Sequence, residues 1–213
     1  MRGVKLVMQV FLPYADTVNS LYALDDARLR KQRVEARQLI DTILDRPTAS
    51  GKPRKGWYNH PAAVMFRQYV PYLVTYYNLS LIVYEERGGK NIKLQPEPIT
   101  DEVEIPHWFG DSVIHASHRS RLLFKGKVDV LAERIRLFTG KRAANAWLAK
   151  NKFPPLNMFR QGEYEAVSSL LDEMNAPVAN VKNHYASFGW TEPDNIEYAW
   201  PGETPAEPTR TIR

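Results

Sequence analysis

Between residues 25 and 44 the apolar side chains return with the period of an α-helix. At about 100° per residue Leu29, Ala36, Ile40, Ile43 and Leu44 fall on one stripe, and Asp45-Arg46-Pro47 closes the run. Upstream, Val7 to Leu12 reads as a short strand or extended start ended by Pro13. Pro61 opens a second helix, with Ala62, Met65, Phe66, Tyr69, Leu73 and Tyr76 on one face, continuing past Pro71 to about Glu86 and stopping at Gly88-Gly89. Residues 90–106 form an acidic loop punctuated by prolines, and Asp111 or Ser112 caps a third helix through Phe124.

Beyond Gly126 the pattern predicts three shorter helices, Val128 to Phe138, Ala143 to Lys150 and Glu163 to Met174, split by Thr139-Gly140 and Phe153-Pro154-Pro155. The expected fold is therefore mainly α: a compact helical domain with a short N-terminal extended segment and an inserted helical module. Residues 1–125 and 184–201 make the core, 126–183 the module, and 202–213, rich in Pro, Thr and Glu, a disordered tail.

At 213 residues the chain can bury roughly 70% of its unfolded surface without staples. It contains no cysteine, which excludes thiol chemistry and cysteine-type zinc sites and agrees with a reducing cytoplasm. No run of about 18 apolar residues is present, so no membrane span is expected and the protein is read as cytoplasmic, in the host cell if phage-encoded. The net charge of +5 permits nucleic-acid binding without demanding it. Its distribution is more telling: 28–37, 51–55 and 118–127 are basic, 95–104 and 203–207 acidic.

The first predicted helix gathers five cations, Arg28, Arg30, Lys31, Arg33 and Arg37, around Glu35. Arg30, Arg33 and Arg37 form a ridge at i, i+3 and i+7, and Arg33 falls inside the apolar arc, where an unpaired guanidinium is costly. One reading pairs the ridge with phosphate. The other makes it a salt-bridged core helix, since Asp26 and Asp41 are spaced for i,i+4 pairs with Arg30 and Arg37. Glu35 projects between Arg28 and Lys31, neighbours that favour its charged form; it suits a general base or an oxocarbenium stabiliser, and equally a surface ion pair.

Three clusters add aromatic and polar chemistry: Gly56-Trp57-Tyr58-Asn59-His60-Pro61, Pro106-His107-Trp108-Phe109-Gly110-Asp111, and His115-Ala116-Ser117-His118-Arg119-Ser120-Arg121. His115 and His118 share a helix face with Arg119 and could reach one phosphate, or hydrogen-bond neighbouring helices instead. No spacing matches a metal motif, and no metal or other cofactor is expected. Trp57, Tyr58 and Trp108 are candidates to stack on a base or wedge a duplex, and Arg28, Arg30, Arg33, Arg37, Asn59, His60, His115, His118, Arg119 and Arg121 to bind DNA.

These same residues carry a resemblance. Met8 to Tyr14, Leu24-Asp25 with Arg28-Leu29 and Lys31 to Glu35, Asn59-His60-Pro61, His115 to Ser120 and Tyr198-Ala199-Trp200-Pro201 resemble a group of small bacterial and phage proteins, in turn similar to the pyrimidine-dimer DNA glycosylase family of the endonuclease V type. The resemblance implies a helical enzyme that flips nucleotides from duplex DNA, attacks C1′ with its N-terminal amine and uses a helix glutamate. Glu35 matches that glutamate, and Arg28, Arg30 and Arg33 lie where the family places DNA-binding arginines. The chain departs at its start: seven residues precede Met8, and neither Arg2 nor Gln9 allows the small N-terminal nucleophile. Lyase chemistry is therefore not carried over, and a hydrolytic cleavage, with Glu35 orienting water, is retained. Block 126–183 has no counterpart in the shorter relatives; it is read as a second DNA contact, through Lys141, Arg142, Lys150 and Lys152, or a surface for a protein partner. The rival readings are a non-catalytic DNA-binding or adaptor protein and a phage-type enzyme acting on a hypermodified pyrimidine.

Overall fold

A computed structural model describes residues 9–48, 50–52, 54, 57–99, 102–140 and 144–201. The expected tail at 202–213, Met8, Lys141 and Arg142 lie outside the described residues. Among those described the fold is mainly α, with no strand. None of these helices is long and apolar enough to cross a membrane.

The chain divides into two units, 1–118 with 198–213, and 119–197. In the first, α1 (Thr17–Tyr22) and α2 (Asp26–Ile43) start on aspartate caps: Asp16 accepts the Asn19 N–H and Asp25 the Arg28 N–H. The expected continuous helix after Pro61 is two helices, α3 (Pro61–Phe66) and α4 (Val70–Glu86). Pro71 lies in the first turn of α4, where its missing N–H costs no helical hydrogen bond. Helix α4 packs chiefly on α2 and buries Tyr72, Leu73, Val74, Tyr76, Tyr77, Leu81 and Val83.

The extended segment Gln9 to Leu12 is almost fully buried in this unit. With no neighbouring strand, its backbone must find other partners. Gln32 of α2 supplies both kinds: its Oε1 accepts the Phe11 N–H at 2.9 Å, and its Nε2 donates to the Gln9 carbonyl at 2.6 Å. Tyr76 of α4 donates to Gln32 Oε1 at 2.7 Å. From the start of α5 (Ser112–Thr139), His115 Nδ1 donates to the Leu12 carbonyl at 2.7 Å, while His118 Nδ1 accepts the Leu12 N–H at 2.8 Å. Phe11 and His118 both pack against Tyr198, and Ser117 Oγ accepts the Ala199 N–H at 3.1 Å, which seats the closing aromatic segment.

The second unit contains the rest of α5, α6 (Ala144–Lys150) and α7 (Gln161–Glu173). Phe124, Leu131, Ile135, Leu148, Phe159, Val167 and Leu171 form its core. Here α5 runs through Gly126, where the sequence suggested a break. The glycine answers to packing rather than to a turn: a Cβ at 126 would stand 1.8 Å from Asn183 Oδ1. Asn183 is held there, its Nδ2 donating to the Leu123 carbonyl and its Oδ1 accepting the Tyr185 N–H, each at 3.0 Å.

Gln32→Leu removes the partners of the Phe11 N–H and the Gln9 carbonyl. At about 1–3 kcal/mol for each buried unsatisfied group, we expect a loss of about 3 kcal/mol or more in urea unfolding; an unchanged midpoint would refute the clamp. Gly126→Ala should also destabilise, by about 1–2 kcal/mol, because displacing Asn183 outweighs the gain in helix propensity.

Candidate functional site

Glu35 lies one helical turn beyond Gln32 and is 8% exposed. Gln32 Nε2 donates to Glu35 Oε2 at 3.2 Å, and the ammonium of exposed Lys31 approaches Oε1 at 3.2 Å. The i,i+4 pair read from the sequence thus forms, joined by a buried amide that the sequence reading did not single out. Gln32 spends all four of its hydrogen-bonding positions, two on the extended segment, one on Tyr76 and one on Glu35. A carboxylate held this way is fixed in direction and reaches the surface at one edge. That is what orienting a water or facing a developing positive charge requires.

The arginine ridge divides. Arg28 pairs with the helix cap Asp25 at 2.8 Å. Arg33 is 6% exposed; it donates to Asn91 and lies 3.4 Å from the centroid of the Tyr84 ring, and burial pushes its pKa below the ordinary value. Arg37 joins Asp41 at 3.0 Å and also Glu97, which binds Arg46 at 2.9 Å; Arg54 reaches Asp41 at 3.3 Å. Burial pushes the Arg37 pKa down, but the two carboxylates more than reverse it. Arg33 is thus enclosed, and the Arg37 charge is shared with Asp41 and Glu97, as in the salt-bridged reading of this helix. Arg30 is exposed and has no ion pair among the described residues.

His115 and His118 are enclosed as well. They are 3% and 0% exposed, and their rings bind backbone: His115 Nε2 accepts the Gly110 N–H at 3.0 Å, besides the two bonds to Leu12. Since His118 Nδ1 accepts, its proton resides on Nε2, 2.8 Å from the end of the Gln9 side chain; with the amide turned so that its oxygen faces the ring, Gln9 accepts that proton. All four ring nitrogens face groups of the fold. Trp108 is 5% exposed and donates to the Met65 carbonyl at 3.3 Å.

The cluster at the start of α3 is more open. Asn59 and Tyr58 are exposed, and the Arg67 guanidinium carbon lies 4.2 Å over the Tyr58 ring. His60 is half-buried; its Nδ1 accepts the Ala62 N–H at 3.1 Å, and its ring meets Trp57 and Trp200 edge-on. Arg119 and Arg121 belong to the second unit. Arg119 binds Glu192 at 2.7 Å, and Arg121 lies over the Phe124 ring. Among the described residues no cluster of His, Cys, Asp and Glu could hold a metal.

Gln9, Gln32 and Tyr76 carry neither charge nor an exposed ring, so they do not stand out in the sequence as site residues. The available signal was a glutamine on the apolar side of an amphipathic helix, where an amide needs a buried partner.

A family model described as pyrimidine dimer DNA glycosylase matches residues 8–95. The match spans the extended segment and helices α1 to α4, Glu35 and Asn59-His60-Pro61 included, and supports a distant relationship to that DNA-repair family. No curated protein and no solved structure matches the chain.

Burial pushes the Glu192 carboxyl upward, yet hydrogen bonding and the charge of Arg119 outweigh it and leave the pKa below the ordinary value. A carboxyl lowered in the folded state adds stability above its unfolded pKa, about 4.3, and loses it as pH falls through the folded one. Arg119→Ala should therefore lower the melting temperature at neutral pH and have a smaller effect in strong acid. Equal losses at both would remove the pair as the cause.

Proposed function

We propose, from that distant relationship, that this chain is a DNA glycosylase that cleaves the N-glycosidic bond of a damaged or modified pyrimidine nucleotide in duplex DNA. The observation that carries the reading is the match across 8–95, in which α2 presents Glu35 braced by Gln32 and Lys31. Glu35 is the catalytic carboxylate. It orients a water toward C1′ of an extruded nucleotide and accepts the water's proton as the new C–O bond forms. The base departs with the electron pair of the glycosidic bond and is then protonated, while the carboxylate stabilises the cationic sugar between these events. Arg30, Lys31 and Asn59, exposed on the same unit, are the groups we assign to the DNA backbone.

One observation favours a second reading. Both Glu35 oxygens already have partners within α2, as in a carboxylate that serves the fold alone, and the chain would then bind DNA without turnover.

Base release is to be measured on duplexes carrying a thymine dimer, uracil, 5-hydroxymethyluracil or an abasic site. On the accepted substrate, Glu35→Gln should slow release by about 10²–10⁴-fold, the usual worth of a general acid or base, with DNA affinity nearly unchanged. Release without a borohydride-trapped adduct marks hydrolysis; a trapped adduct marks an amine nucleophile. Binding with no product on any duplex would favour the second reading.

A further inference from the structure

Among the described residues of the first unit, the most exposed large apolar side chain is Ile92, at 82%. It lies on the loop after α4, between Lys90 and Lys93, which are exposed and have no ion pair among the described residues. A lone exposed isoleucine is ordinary on a protein surface. This one is held out at the tip of a braced loop.

The bracing begins at the end of α4. Gly88, at φ +79°, donates its N–H to the Glu85 carbonyl at 2.8 Å, and Gly89 donates to the Tyr84 carbonyl at 2.9 Å. A Cβ at Gly89 would stand 2.3 Å from the Tyr84 ring, so the chain turns directly against that ring. Both ends of the Asn91 amide are then committed to the helices. Its Nδ2 donates to the Leu81 carbonyl and to Glu85 Oε1, each at 3.0 Å, and its Oδ1 accepts from Arg33 of α2. Further on, the Gln95 carbonyl accepts the Tyr77 hydroxyl at 2.8 Å. Between these anchors Lys90, Ile92 and Lys93 face solvent.

The loop is anchored on α2 at Arg33, and positive charge continues along that helix. At about 100° per residue Arg33 and Glu35 stand about 200° apart, so the exposed strip of Arg30, Lys31 and Val34 runs between the loop's anchor and the carboxylate. A polyanion lying on that strip meets both sides of a helix about 10–12 Å wide. Lys90 and Lys93 are at most about 10 Å apart along the chain, and the minor groove of duplex DNA is about 6 Å wide. The two ammonium groups can therefore meet phosphates of both strands while Ile92 faces the base pairs between them. An aliphatic side chain in that place enters between base pairs and kinks the duplex.

We infer that the 90–93 loop is a duplex-inserting element, with Ile92 wedged into the minor groove and Lys90 and Lys93 on the flanking phosphates. The inference rests on the DNA reading for its ligand. It assigns insertion to an aliphatic side chain outside the aromatic clusters, and it does not depend on the chemistry at Glu35.

The test uses the full chain and a short mixed-sequence duplex carrying donor and acceptor dyes at its two ends, titrated over a range of salt. The parent should bind and shorten the end-to-end distance. Ile92→Ala should abolish the shortening and weaken binding by about tenfold with the salt slope unchanged, and Ile92→Met should restore the bend. Lys90→Ala and Lys93→Ala should each reduce the slope of log K against log salt by about 1 and weaken binding to all sequences alike. Because all three positions are exposed, the melting temperature should not move. The inference falls if the parent binds without bending, if Ile92→Ala bends the duplex as the parent does, or if neither lysine changes the slope. A loss in Ile92→Ala confined to phosphatidylserine vesicles would also overturn it and give the tip to a lipid surface. Absence of duplex binding by the parent would refute the DNA reading itself and the inference with it. Glu35→Gln should bind and bend as the parent does, so a failure of the catalytic assignment is read separately.

Discussion

The structure of the first unit depends on how four buried residues of extended chain satisfy their backbone. In a sheet, Gln9 to Leu12 would be paired by neighbouring strands. Here the same groups meet the amide of Gln32, the rings of His115 and His118 and, through Gln32, the phenol of Tyr76. Leaving buried amides unpaired costs as much as several good contacts provide, so α2, α4 and the start of α5 are each tied to one line of backbone. Glu35 inherits its place from that requirement, because the amide that holds the segment also holds the carboxylate.

Electrostatics follow the same economy. The basic helix and the acidic loop are distant in sequence, yet Glu97 closes onto Arg37 and Arg46, and Asn78 holds the Glu97 backbone with bonds of 2.8 and 2.9 Å. Asp41 and Glu97 bring three arginines together, Arg54 being the third. Charge that appears as a phosphate-tracking run in one dimension is largely paired in three. Of the α2 cations, Arg30 and Lys31 remain exposed, and Lys31 meets Glu35 at 3.2 Å.

Helix placement was legible because it depends on local periodicity and caps: α2, α6 and α7 lie within a few residues of their expected spans. The break inside the Pro61 helix and the continuity of α5 were not. Pro71 is compatible with a first turn as well as with an interior kink. Gly126 answers to Asn183, 57 residues later, which no local window contains. At the site, Glu35 and Lys31 were legible from i,i+4 spacing, whereas the fate of the histidines was not. A helix face with His115 and His118 looks the same whether it meets phosphate or peptide; only the position of Leu12, more than 100 residues away in sequence, decides between them.

That separation also shapes how the chain can mature. The Leu12 N–H meets His118 across 106 residues. A ribosome adding about 5–20 residues per second needs on the order of 5–20 s to bridge that gap. Throughout that interval the Leu12 N–H and carbonyl lack the rings of His118 and His115, although Gln32 and Tyr76 can already hold Gln9 and Phe11. The backbone of the extended segment is therefore completed only by the start of α5, and the unit is closed later still, when Tyr198 and Ala199 reach Phe11, His118 and Ser117.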